Sequence, residues 1–155
     1  MEVKRATRSD LAKALSKRLG LSFNKANTYL LELVDLVKYE IYFKENSVLL
    51  FGICKLYRAD GRESQKVSTG YLSSKFSKLS EIEASTIEKE LGDVIKTLLS
   101  KGYKVVLTGL VSLEYKDGKL SCSSSSSLRG SDNVISCRAG IDKVFKALVK
   151  KGVLE

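Results

Sequence analysis

The chemistry this chain can offer lies in its cations. Lys4, Arg5 and Arg8 precede and open a first helical segment. Lys55, Arg58, Arg62 and Lys66 surround an Asp60-Gly61 turn, and Lys116, Lys119, Arg129 and Arg138 take corresponding places around a second turn at Asp117-Gly118. Lys and Arg grouped in this way can neutralise the phosphates of a polyanion and release its counterions. Arg138 and Lys143 also flank Gly140, where a last helix is expected to begin. The free amides and the dipole at such a start attract a phosphate, and nearby cations add to that attraction. The plainer readings of the same residues are a solvated terminus, charged protection of a sheet edge and surface ion pairs.

Other chemistries find little support. There is no histidine, and Cys54, Cys122 and Cys137 lack the CxxC spacing of a structural zinc site. A histidine-based triad is excluded by composition. The acidic run "EIEASTIEKE" reads as a solvated helix face, with no cleft implied for a carboxylate dyad. The chain is therefore not expected to be an enzyme, a hydrolase or nuclease being the weakest of the readings, and no cofactor is implied. Tyr57, Tyr71 and Tyr115 read as half-buried packing residues at strand and helix ends, with base stacking as the alternative. The serines from Ser123 to Ser127 read as a low-complexity loop.

The totals agree with a polyanion partner. The 155 residues are 43% apolar and 29% charged, with a net charge of +9 and a pI near 9.4. That is the composition of a globular domain with an excess of positive charge, which bears on partners and not on fold. The excess is uneven, +7 over residues 1 to 80 and +2 over residues 81 to 155. No apolar run is long enough to cross a bilayer, and the first residues are too polar for a signal peptide. A cytoplasmic protein with reduced thiols and no membrane partner is the expectation.

The elements that must position these cations follow from periodicity and punctuation. Ser9 and Asp10 suit the start of a helix whose apolar positions are Leu11, Ala14, Leu15 and Leu19, and Gly20 stops it. Ser22 caps a second helix reaching about Glu45. Val48–Tyr57 reads as two short strands around Gly52. Asp60-Gly61 predicts a hairpin with a return strand over 64–69, followed by a short helix over 71–79. A helix over 83–100, strands over 103–115, a turn at Asp117-Gly118, a return strand at "VISC" and a helix over 140–151 complete the chain. Set 57 residues apart, "VLLFGICKLY" and "VVLTGLVSLEY" align glycine on glycine, as do the apolar stripes of the helices before them. An internal repeat is the natural reading.

This order of elements, with "SDLAKALSKRLGLSFNKA", the two glycine-centred strand pairs and "CRAGIDKVFKAL", resembles the HU/IHF family of bacterial histone-like DNA-binding proteins. The resemblance implies an α+β fold: a helical base, a β-sheet saddle and β-ribbon arms. Two degenerate copies, 1–80 and 81–155, would form one intertwined tandem pseudo-dimer. It implies an architectural, nucleoid-associated protein that binds double-stranded DNA largely without sequence preference, through phosphate-backbone and minor-groove contacts, and compacts or moderately bends it. The expected contacts are Lys4, Arg5, Arg8, Lys55, Arg58, Arg62, Lys66, Lys116, Lys119, Arg129, Arg138, Gly140 and Lys143. The alternative is an HU-like fold turned to a protein partner, with weak or no DNA binding. A monomeric pseudo-dimer is expected, a homodimer being the other possibility. The chain departs from the family pattern where Cys54 and Val111 replace the second glycine of the strand pair. It also has no proline, so the family's proline wedge, which kinks the duplex, has no counterpart here.

Overall fold

The computed structural model describes residues 4–125 and 135–139. Among these residues three α-helices lie beneath two four-stranded sheets, and their apolar faces share one core. The fold is α+β.

Local chemistry explains most of the elements. Helix α1, Arg8–Leu19, is capped by Thr7, two residues before the Ser9 cap that the sequence predicts. The Thr7 amide and hydroxyl both donate to the Asp10 carboxylate, at 2.9 and 3.1 Å. Those bonds, the backbone one foremost, hold the Asp10 carboxyl below its usual range. Gly20, at φ 69°, ends the helix. Helix α2, Phe23–Tyr42, is capped by Ser22, whose hydroxyl accepts from the Lys25 amide, and its buried stripe includes Ala26, Leu30, Leu33, Val37 and Ile41. Helix α3, Glu81–Ser100, opens on a reciprocal box. The Glu83 amide donates to the Ser80 hydroxyl and the Ser80 amide to the Glu83 carboxylate.

The strands repeat as the sequence predicts. β2, Ser47–Leu50, and β3, Cys54–Arg58, form one antiparallel pair; β5, Lys104–Leu107, and β6, Val111–Lys116, form another at the 57-residue offset. The turn hydrogen bond recurs at the same spacing, Ile53 to Leu50 at 3.0 Å and Leu110 to Leu107 at 2.9 Å. Gly52 and Gly109 both hold a left-handed conformation, φ 76° and 85°, that costs a residue with a Cβ about 1–2 kcal/mol.

Two expectations about pairing are overturned. The segment after Asp60-Gly61 does form a strand, β4, Lys66–Ser68, but it does not return along β3. It runs parallel to β2, with Val67 opposite Val48. The Asn46 side chain receives the Gln65 amide at 3.1 Å and donates to the buried Glu40 at 3.0 Å, which fixes where β4 enters. The "VISC" strand, β8, Ile135–Ala139, pairs antiparallel with β3 and not with the hairpin that precedes it in sequence. That hairpin is completed by β7, Lys119–Ser124, which absorbs Ser123 and Ser124 of the predicted serine loop into a ladder with β6. A short N-terminal strand, β1, Arg5–Ala6, runs parallel to β5, with Ala6 opposite Val105.

The sheet orders are therefore β1-β5-β6-β7 and β4-β2-β3-β8, with β7 and β8 lying against each other. Two pairings cross between the halves, β1 with β5 and β3 with β8, whereas β4 with β2 lies within the first half. The helix predicted over 71–79 is a short 3-10 helix, Tyr71–Lys75. Phe76 then turns extended and stacks on Tyr29 of α2, ring centroids 4.8 Å apart. The helix predicted over 140–151 lies outside the described residues.

Candidate nucleic-acid interface

Alternation along the strands sorts their side chains into two faces. Inward go Ala6, Val48, Leu50, Cys54, Leu56, Val67, Val105, Leu107, Val111 and Leu113, all buried. Outward go Arg5 and Lys104, Lys55 and Arg138, Lys66, Lys116 and Lys119, none of them buried. The eight strands carry eight Lys or Arg and a single carboxylate, Glu114. The three helices carry nine Asp or Glu against eight Lys or Arg. Among the described elements the positive excess is thus a property of the sheets.

Register concentrates it further. Arg5 stands opposite Lys104, Lys55 opposite Arg138, and Lys116 opposite Lys119 at the tip of the β6–β7 hairpin. Like charges facing each other across a ladder destabilise it by a few tenths of a kcal/mol to about 1 kcal/mol. Three such pairs on outward faces are a cost to the free fold. Glu114, opposite Lys104, relieves only the first of them.

The predicted site residues separate into groups. Lys55, Arg58, Arg62 and Arg138 come together and, with Tyr57, line one open depression of about 290 Å³. Three of these cations have carboxylate partners. Lys55 pairs with Glu63 at 2.9 Å, Arg58 with Asp60 at 2.9 Å and Arg62 with Glu45 at 3.3 Å. The Arg58 side chain and then the Arg62 amide hold the Asp60 carboxyl down at about 2, so it stays charged throughout the neutral range. Arg138 has no ion pair among the described residues, and neither do Lys66, Lys116 and Lys119. Lys66 is exposed on β4 at the edge of its sheet.

The N-terminal group is less uniform. Arg5 is exposed on β1. Lys4 places its ammonium 5.7 Å from the centre of the Tyr103 ring, and its carbonyl accepts from the Lys104 amide. Arg8 sits at the first turn of α1 with its Nε buried and lacking a hydrogen-bond partner among the described residues. Arg129, Gly140 and Lys143 lie outside the described residues, and so does the phosphate site predicted at the last helix.

Lys104 belongs with this face and is absent from the predicted set. The alternation of Lys104 and Val106 against buried Val105 and Leu107 is the signal that identifies it. Of the tyrosines, Tyr57 faces outward, with Lys55 over its ring at 5.8 Å, whereas Tyr115 shares the inward register of Leu113 and packs against the core. Small polar residues fill much of the remaining outward surface, Ser68, Ser112, Ser121, Ser123 and Ser136, and leave the strand backbones open to close approach. No helix among the described residues is long and apolar enough to cross a membrane. Compared with known proteins, the chain matches no family model, no curated protein and no solved structure.

Proposed function

We propose that this chain is a non-enzymatic, architectural double-stranded DNA-binding protein of HU/IHF type, built as two degenerate copies in one polypeptide. The carrying observation is the set of three outward like-charge pairs, Arg5–Lys104, Lys55–Arg138 and Lys116–Lys119. The pairings that cross between the halves, β1–β5 and β3–β8, support the pseudo-dimer, since each half contributes a strand to the other's sheet. In this reading the two sheets form the saddle and the helices the base.

Binding proceeds through charge. Phosphates approach the outward cations, condensed counterions leave, and the like-charge repulsion within the sheets is relieved. Small serines let the strand backbones come near the duplex. A stacking platform for single strands needs several outward aromatic residues; Tyr57 alone supplies too little. Without a proline wedge, DNA bends moderately and chiefly by charge neutralisation. Such contacts position the protein and carry little sequence information.

A second reading, a module for a protein partner, draws on Leu31, Tyr39 and Phe43, which are exposed on and just after α2. A salt series separates the two. Mobility shifts with a duplex of random sequence, from low to moderate salt, should show affinity falling steeply with a log–log slope of several units. No shift at the lowest salt would reject the DNA reading and leave the partner module.

A further inference from the structure

Helix α2 carries a second apolar stripe, which the described residues leave open. Leu31, Asp35 and Tyr39 follow one another at four-residue steps, half a turn around the helix from the buried Ala26, Leu30, Leu33, Val37 and Ile41. Leu31 and Tyr39 are 45% and 49% exposed, and Phe43, one turn beyond Tyr39, is 77% exposed. The Tyr39 and Phe43 rings pack together, centroids 5.3 Å apart, into one apolar knob. Toward the other end of the stripe, Thr28, Leu31 and Leu36 help to line an open groove of about 400 Å³. Ser77 and Lys78 form its far bank. The Glu32 carboxylate holds that bank in place, accepting from the Ser77 amide at 2.6 Å and from the Lys78 amide at 3.2 Å. Near the middle of the stripe stand Asp35, exposed, and Lys38, half-buried. Neither has an ion pair among the described residues.

We propose that this stripe is the contact surface for a second copy of the chain, packed antiparallel on α2 about a two-fold axis between Asp35 and Lys38. A two-fold contact must be its own complement. The stripe meets that condition. The axis sets each Asp35 opposite Lys38 of the second copy, and it carries the Tyr39–Phe43 knob of each copy to the Leu31 groove of the other. By the helical rise, Leu31 lies about 8 Å from the axis, and Tyr39 and Phe43 lie about 4 and 10 Å from it on the other side, so the knob brackets Leu31 of the second copy. A parallel pair would set Asp35 against Asp35 and Lys38 against Lys38, and like-charge repulsion disfavours it. From Thr28 to Phe43 the contact is about 22 Å long, at the small end of specific interfaces, so the dimer is a weak one that forms at micromolar concentration or above.

α2 packs under β2 and β3, with its buried stripe toward the core and this one away from it. Pairing through α2 therefore turns the two cationic sheet faces in opposite directions, each free to hold a duplex. That consequence, one dimer bridging two duplexes, rests on the DNA reading; the self-contact does not.

Sedimentation equilibrium of the full chain, from low to high micromolar concentration, tests the contact. The mean mass should rise from 17.1 kDa toward twice that value. Asp35→Lys and Lys38→Asp each put like charges at the axis and should weaken the dimer by roughly tenfold or more. Mixed one to one, the two variants should pair again, since each supplies the charge that the other needs. Both positions lie outside the core, so the fold is kept, and circular dichroism checks this. A parent chain that stays at 17.1 kDa throughout overturns the proposal. If Leu31→Glu then also lost thermal stability, residues 140–155 of the same chain would be the cover instead. A dimer indifferent to both single changes, or variants that fail to pair when mixed, refutes the contact equally. For the bridging, a bead-bound duplex should retain a labelled free duplex through the parent chain and not through Leu31→Glu. Protein that binds the bead duplex but joins no second one overturns the bridging. Protein that binds no duplex fails the DNA reading alone, and the mass result still decides the contact.

Discussion

Lys55 on β3 stands directly opposite Arg138 on β8, two cations on neighbouring strands that both point away from the core. Nothing in folding alone calls for this arrangement, and Glu63 answers only the Lys55 side of it. Replacing Arg138 separates its two consequences. Arg138→Gln should raise stability toward urea by a few tenths of a kcal/mol, as the repulsion across the ladder is lost. The same change should weaken duplex binding and lower the salt slope by about 1. Urea titration and mobility shifts on one preparation check both signs.

If the outward cations bind phosphates as proposed, Glu63, which pairs with Lys55 at 2.9 Å, competes for it. The Lys55 side chain, followed by the Ser47 hydroxyl, holds the Glu63 carboxyl below its usual range, so it is charged at neutral pH. Glu63→Gln frees the ammonium and removes a repulsive charge from the depression that Arg138 shares. Duplex affinity at low salt should rise by about one phosphate contact, with a correspondingly steeper salt slope. Fluorescence anisotropy against salt measures it.

The phenol of Tyr29 is wholly buried against Phe76, and its hydroxyl has no hydrogen-bond partner among the described residues. A desolvated hydroxyl without a partner costs about 1–3 kcal/mol. Tyr29→Phe keeps the ring stack and removes that cost. Thermal and urea unfolding should show equal or greater stability, by up to about 1 kcal/mol. A clear loss would mean that the hydroxyl is satisfied in solution.

Glu88 on α3 imposes a pH dependence. Burial raises its carboxyl above the usual 4.5, against the opposing pull of the Thr69 hydroxyl and then of Lys96 and Lys89. The folded state therefore holds this proton more tightly than the unfolded chain does. Its contribution is fully present below pH 4.5 and declines as pH rises through the raised value. Glu88→Gln should abolish that decline and leave the variant more stable than the parent at neutral pH. Unfolding midpoints from pH 4 to 8 for both proteins supply the comparison.

How far the sequence reveals the fold depends on whether a signal is local. Ser22 caps its helix where the sequence predicts, and the Gly52 and Gly109 strand pairs fall at the predicted offset, because each signal is complete within a few residues. Lys66–Ser68 and Ile135–Ala139 are recognisable as strands, but their partners are not. Asp60-Gly61 carries a hairpin signature, yet Asn46 and Gln65 direct the chain to β2 instead, through contacts distant in sequence. Serine gives weak strand signals, so Ser123 and Ser124 read as a loop until β6 supplies their hydrogen bonds. The basic character of the site was plain in the composition. The pairs Arg5–Lys104 and Lys55–Arg138 were not, because they arise from register between strands of different halves.

The crossed parallel strands have a consequence for cutting the chain. A break between Gly61 and Gln65 leaves the N-terminal fragment without β4 and the C-terminal fragment without β1. Each piece would then expose an open sheet edge that its counterpart completes. Expressed alone, each should be insoluble or unfolded; mixed from denaturant, the two should recover one to one as a nicked but whole molecule. In effect the polypeptide carries its own complementation pair, joined by a short tether whose task is stoichiometry.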